Sequence, residues 1–118
     1  MTVPREARLL RIFFGENDRA DGKPLYEALV MLARDRALAG ATVLRGPMGF
    51  GHASHLHTAK ILRLSQDLPI IVEIVDAEDK IRDFLRAAEP LLGSVLVTLE
   101  RVEVIRYGGT GTGGIEGP

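Results

Sequence analysis

One stretch of this sequence concentrates residue types that handle anions or metals. Gly46, Gly49 and Gly51 permit unusual backbone angles and close approach of a ligand. From Arg45 to Arg63 there are three basic residues, Arg45, Lys60 and Arg63, and no acid. All three histidines of the chain, His52, His55 and His57, fall in the same stretch. A glycine-rich turn that leaves a strand with surplus positive charge can cradle an anion on its backbone N–H groups. It is not a Walker A loop, because no Gly-Lys-Ser/Thr follows. Gly22-Lys23-Pro24 offers a second anion position, where a helix dipole and the Lys23 ammonium would act together.

Each of these features has a plainer reading. Glycines behind a strand serve as ordinary turns, and Lys23 as a solvated side chain at a helix start. Phe50, two residues after Met48, can be a stacking surface for a base, a core plug or an interface anchor. The histidines, three and then two residues apart, match neither a helix face nor a strand face. They offer either donors to phosphate or a metal-ligand set of His52, His55 and His57.

A catalytic constellation is missing. No HExxH and no local Ser/His/Asp signature occurs. The absence of cysteine excludes thiolate metal sites, a cysteine nucleophile and disulfides. The acidic candidates are Asp18, Asp21, Glu73, Asp76 and Asp79; Asp76 and Asp79 are accounted for as helix-capping residues, and Glu73, in mid-strand, is the least explained. The expectation is a protein that binds and does not catalyse.

The elements that must position this segment can be read from periodicity. Ala7 to Gly15 reads as a strand, with Leu10, Ile12 and Phe14 on one face and Leu9, Arg11 and Phe13 on the other. Glu16 to Gly22 is a polar turn. Lys23 to Ala39 reads as a helix stopped by Gly40, and Ala41 to Arg45 as a short strand. Leu68 to Val75 is a strand, Asp76 an N-cap, and the following helix ends at Glu89-Pro90. From Ser94 the apolar residues alternate, then slip by one at Glu100-Arg101, which predicts a break or bulge and a further strand through Tyr107.

The order is β-α-β-β-α-β with an extra C-terminal strand, an α+β ferredoxin-like sandwich. Residues 1–107 form one domain, and 108–118 a flexible Gly-rich tail. Two helices cover only one face of such a sheet, so Leu9, Phe13, Val43, Ile71 and Val75 lie on or near the uncovered face. A small monomer cannot leave that much apolar surface in water, so the sheets are expected to associate.

Length and charge narrow the class further. A chain of 118 residues fits one domain. Fifteen basic against sixteen acidic residues give a net charge of −1, which argues against a nucleic-acid partner or an electrostatic membrane binder. No apolar run reaches the length of a signal peptide or a membrane span, and the expected location is the cytoplasm.

Taken together, Gly15-Glu16-Asn17-Asp18, Gly22-Lys23-Pro24-Leu25-Tyr26, Gly40-Ala41-Thr42-Val43-Leu44-Arg45-Gly46, Gly49-Phe50-Gly51-His52, His57 and the strand from Asp67 to Asp76 resemble the domain-of-unknown-function 190 family. The resemblance runs from about Leu9 to Arg106. That family is similar to the PII signal-transduction proteins. The resemblance implies a homotrimer, adenine-nucleotide clefts between subunits, and a loop after the second strand that controls a partner. Its nucleotide site would draw on Phe13, Gly15, Lys23, Arg45, Gly46, Met48, Gly49, Phe50, Gly51 and His52, with Arg101 and Arg106 from a neighbour. The turn from Val75 to Lys80 carries acids where a phosphate loop would be Gly-rich and cationic, which favours AMP, ADP or a cyclic mononucleotide over ATP. A membrane transporter such as a fluoride exporter is the implied partner. The alternative is a metal-binding trimer, like the divalent-cation tolerance proteins.

Overall fold

The computed structural model describes residues 2–51 and 67–108. Its elements are β1 (Glu6–Gly15), β2 (Arg19–Ala20), β3 (Lys23–Pro24), α1 (Leu25–Asp35), β4 (Thr42–Arg45), β5 (Pro69–Asp76), α2 (Glu78–Leu92) and β6 (Leu96–Glu103). The main sheet has the order β4-β5-β1-β6, with every neighbouring pair antiparallel. This is the expected α+β ferredoxin-like arrangement, with β2 and β3 added as a two-stranded ribbon ahead of α1.

The core forms where the two periods meet. Leu10 and Ile12 of β1 lie beside Ile74 and Val72 of β5, and all four are buried. Above them α1 contributes Leu25, Leu29 and Ala33 at a spacing of four. Helix α2 contributes Ile81, Phe84, Ala88 and Leu92, also one stripe. Val97 and Leu99 of β6 close the edge.

Several boundaries differ from the sequence reading, each for a local reason. Lys23 and Pro24 pair with Ala20 and Arg19, so α1 begins at Leu25. It stops at Asp35 through a Schellman motif: Leu38 N–H donates to Ala33 O and Ala37 N–H to Arg34 O, both at 3.0 Å. The left-handed position of that motif is Ala37, with φ 62°. Gly40, the expected stop, lies further on. Helix α2 continues through Pro90 to Leu92. That proline forfeits one hydrogen bond in the last turn, while Leu92 is buried, and Gly93 at φ 52° ends the helix.

Asp76 is not the N-cap; that position is Ala77. Asp76 ends β5, is buried, and accepts hydrogen bonds from Ala39 N–H at 2.8 Å and Ala77 N–H at 2.7 Å. It ties the α1–β4 connection to the start of α2.

Among the described residues, the expected bulge and the extra C-terminal strand do not form. Strand β6 pairs residue for residue with β1, from Leu96 opposite Phe13 to Glu103 opposite Glu6. The slip in the apolar pattern reflects Arg101 taking a helix-face position while Val102 sits opposite buried Ala7. Beyond β6, Val104 N–H donates to Arg5 O at 2.8 Å and the Tyr107 hydroxyl to Ala39 O at 3.1 Å. The segment therefore runs from the start of β1 to the α1–β4 connection without strand pairing.

The helix-free face carries Leu9, Phe13, Ile71 and Val75, as expected. Val43 is a correction: it pairs with buried Val72, so it shares the helix face, and Leu44, opposite Ile71, takes the open one. Leu44, Val75 and Leu96 are exposed by 43%, 37% and 59% in this single chain. Among them Arg11 bonds Glu73 at 2.9 Å and Glu100 at 2.8 Å. Glu73 is thus explained as the partner of Arg11. Among the described residues, no helix is long and apolar enough to cross a membrane.

Candidate functional site

A cleft of about 590 Å³ opens at the Gly15 end of the sheet. Phe13, Phe14 and Gly15 come from the end of β1, and Pro69, Ile70 and Ile71 from the start of β5. Ser94, Val95 and Leu96 come from the turn between α2 and β6, Asp18 from the β1–β2 turn, and Phe50 and Gly51 from the chain that follows β4. Antiparallel pairing is what gathers them. Gly15 is opposite Pro69 and Phe13 opposite Leu96, so three chain ends meet in one corner.

The corner is fastened by the β1–β2 turn. Asp18 N–H donates to Gly15 O at 3.0 Å, and Leu25 N–H donates to Asp18 O at 2.8 Å. Glu16 N–H donates to Leu68 O at 2.7 Å, and Asn17 N–H to Asp67 Oδ1 at 3.0 Å. The Glu16 carboxylate also bonds Arg45 Nη2 at 2.7 Å. Both stems of the segment between β4 and β5 are therefore held by Glu16 and Asn17. On the β4 stem, Gly46 N–H donates to Pro69 O at 2.8 Å. A Cβ on Gly46 or Gly49 would lie 2.9 or 3.1 Å from the Pro69 ring. These two glycines are required by close packing on Pro69.

The walls are mostly apolar and aromatic. The polar groups on them are the Asp18 carboxylate, the Ser94 hydroxyl and backbone, and among the described lining residues Asp18 is the only ionisable one. A space of this size and character matches small-molecule sites, which combine apolar walls with a few placed polar groups.

The structure sorts the expected site residues. Phe13, Gly15, Phe50 and Gly51 line the cleft. Gly46 and Gly49 pack behind it, Arg45 is ion-paired at its border, and Met48 is exposed on the same segment. Lys23 sits half-buried in β3, outside the lining. Arg101 pairs with Arg8 near the opposite end of the sheet. Arg106 lines a separate cleft of about 300 Å³ with Thr42, Glu73 and Val75. Within one subunit neither arginine reaches the cleft. His52, His55 and His57 lie outside the described residues, as do Lys60 and Arg63. Among the described residues no group of His, Cys, Asp or Glu is placed to hold a metal.

The acidic turn from Val75 to Lys80 is at the far end of β5, where Asp76 lies opposite Arg8. Within one subunit its charges therefore lie away from this cleft. The turn that does border the cleft is Gly93-Ser94-Val95. Sequence reasoning missed Ser94 and Pro69 as lining residues and singled out Asp18 only as a candidate acid; the turn at Gly93 was the available signal for Ser94. The carboxylates whose pKa is lowered lie on the helices: Glu78 is lowered by its bond from Arg82 and by Arg8, and Asp83 by Arg36.

The profile of the DUF190 family, described as an uncharacterized ACR, matches residues 7–104. The chain belongs to the DUF190 family. Every described residue of the cleft falls inside that match. A UPF0166 protein of Aquifex aeolicus is 44% identical over 100 residues, covering 83% of this chain and 92% of the relative. A UPF0166 protein of Methanocaldococcus jannaschii is 34% identical over 80 residues, covering 68% and 73%. Among solved structures, CPII of Thiomonas intermedia K12, a nitrogen regulatory PII-like protein bound to ADP, AMP and bicarbonate, superposes with a TM-score of 0.61 at 14% identity, covering 86% of this chain and 96% of that one. A putative PII-like signaling protein of Thermus thermophilus gives 0.60 at 17% identity, covering 88% and 93%. The fold of this DUF190 chain is PII-like.

Proposed function

We propose that this chain is a PII-like regulator that binds an adenine nucleotide in the cleft at the Gly15 end of the sheet. The carrying observation is the meeting of an aromatic-walled cleft with both stems of the β4–β5 segment. Phe50 and Gly51 belong to that segment and also line the cleft. A ligand seated there touches the segment directly, so it can bias its arrangement, and a partner can read the difference. The ADP and AMP bound to CPII fit the same reading. AMP or ADP is the ligand expected here, and the role is regulatory, without catalysis.

Assembly completes the site in this reading. The apolar open face, with Leu44, Val75 and Leu96 exposed, is covered by further copies in a homotrimer in the cytoplasm. Arg101 and Arg106, remote within one subunit, then come to a neighbour's cleft as phosphate-binding cations. A membrane transporter, such as a fluoride exporter, is the partner we assign to the β4–β5 segment.

Calorimetric titration with AMP, ADP and ATP tests the ligand, and sedimentation tests the trimer. Saturable binding of an adenine nucleotide to a trimer is the expected result. A monomer that binds none of the three would overturn the proposal. A thermal shift provides a second readout, since a ligand at 100 times its dissociation constant adds about 2.7 kcal/mol of stability.

A further inference from the structure

The described wall of the cleft carries one charge, and that charge is negative. A nucleotide brings its own negative charge on phosphate and only neutral donors on its base and sugar. We infer that Asp18 is the specificity-determining residue of this cleft: its carboxylate accepts hydrogen bonds from the ribose hydroxyls or the exocyclic amine. The base and sugar then occupy the aromatic end, and the phosphate lies away from Asp18. This inference rests on the nucleotide reading above and adds the orientation and the chemistry that selects the ligand.

Three observations carry it. Asp18 is fixed through its backbone, by Leu25 N–H on its carbonyl and by its own N–H on Gly15 O. Its side chain is little used by the fold: the one bond it accepts, from Gly15 N–H, is long at 3.4 Å, and it joins no ion pair among the described residues. It lines the same cleft as Phe13, Phe14 and Phe50. A carboxylate beside apolar walls gains more from a donor than it would in water, and repels a phosphate more strongly. The Ser94 hydroxyl adds a second polar point in the same cleft, able to donate or accept.

The test uses the full chain and calorimetry. Wild type, Asp18→Asn and Asp18→Ala are titrated with AMP, inosine monophosphate, 2′-deoxy-AMP and inorganic phosphate. Inosine monophosphate lacks the amine, and 2′-deoxy-AMP lacks a sugar hydroxyl. The expected loss for AMP is roughly 10–100-fold in both variants, the size of a bond to a charged group. Wild type should discriminate against one of the two analogues, and the variants should lose that discrimination. That pattern identifies which donor Asp18 reads. Phosphate alone should respond to neither variant, except by a slight gain. If wild type binds AMP and both variants bind it equally well or better, Asp18 does not select the nucleoside, and the nucleotide reading survives. If wild type binds no nucleotide, both ideas fall together. Should Asp18→Ala not fold, Asp18→Asn keeps an acceptor for Gly15 N–H and carries the comparison.

Discussion

Gly15 and Asp67 are in such close approach that a Cβ on Gly15 would sit 2.3 Å from Asp67 Oδ1. That oxygen is the acceptor for Asn17 N–H at 3.0 Å. Asp67 itself has a φ of 40°, which L residues adopt rarely. The missing side chain at Gly15 is therefore what lets Asp67 reach the β1–β2 turn and fasten the β5 stem. Gly15→Ala should displace the carboxylate, break its bond to Asn17, and cost about 1–2 kcal/mol. Urea denaturation measures this. An unchanged midpoint would show that Asp67 is not held where the structure places it.

The end of α1 makes a prediction of opposite sign. Ala37 occupies the left-handed position of the Schellman motif, with buried Leu38 and Ala33 as its apolar contact. An L residue in that conformation is strained by about 1–2 kcal/mol, whereas glycine there loses about 0.5–1 kcal/mol in entropy. Ala37→Gly should therefore raise stability by roughly 0.5–1 kcal/mol, the difference between those terms. Gly40→Ala, with nothing within 4 Å of the added carbon, should change stability by less than about 0.5 kcal/mol. Thermal melts of the two variants, compared side by side, check both the size and the sign.

Ion pairs on the helices predict a pH dependence. Arg82 and Arg8 lower the Glu78 pKa from its ordinary 4.5, and Arg36 lowers that of Asp83 from 3.8. A carboxylate with a lowered folded value stabilises the protein above its unfolded pKa. That stability is lost as the pH falls through the folded value. Melting temperature should be flat near neutrality and begin to fall below about pH 4.5, as these groups protonate. Arg36 links α1 to α2 through Asp83 at 2.8 Å, so Arg36→Ala should flatten part of the acid-side decline. Both groups are solvent-exposed, so the effect should shrink in high salt.

The open sheet face predicts assembly. Leu44 is 43% exposed on edge strand β4 and contributes little to the single chain's core. Leu44→Asp should therefore leave the circular dichroism spectrum and the monomer fold intact. If the proposed trimer forms through this face, the variant should also give smaller species in sedimentation, because a carboxylate would be buried without a partner. A variant that sediments like wild type would place the subunit contact elsewhere.

The central architecture was legible because burial imposes periods that composition cannot disguise. Leu10 and Ile12 alternate, and Ile81, Phe84 and Ala88 repeat at helical spacing. Boundaries were less legible because they depend on contacts distant in sequence. Ala37 ends α1 where glycine is usual, Leu92 keeps α2 going past Pro90, and Val102 reads as a slipped phase because of its place opposite Ala7. The cleft was half legible. Phe13, Gly15, Phe50 and Gly51 stood out by type, whereas Asp18 and Ser94 join them only because β1, β5 and the α2–β6 turn meet. Arg101 and Arg106 are expected from a neighbour, which one chain cannot display; within it they lie opposite Arg8 and in the separate cleft with Thr42.

Phe50 offers the sharpest separation between stability and binding. It is 72% exposed, yet it lines the cleft and belongs to the segment that the turn at Glu16 and Asn17 holds. An aromatic ring exposed to that degree contributes little to the core, so Phe50→Ala should leave the melting temperature of the unliganded protein within about 2 °C, an effect below roughly 0.5 kcal/mol. If the ring stacks on a base, its loss should weaken nucleotide binding by about 1–3 kcal/mol, or roughly 5–150-fold. Phe50→Tyr keeps the stacking surface and should restore most of the affinity. Equal affinities for wild type and Phe50→Ala in calorimetry would mean that the ring does not stack on the base and serves an interface or a partner instead.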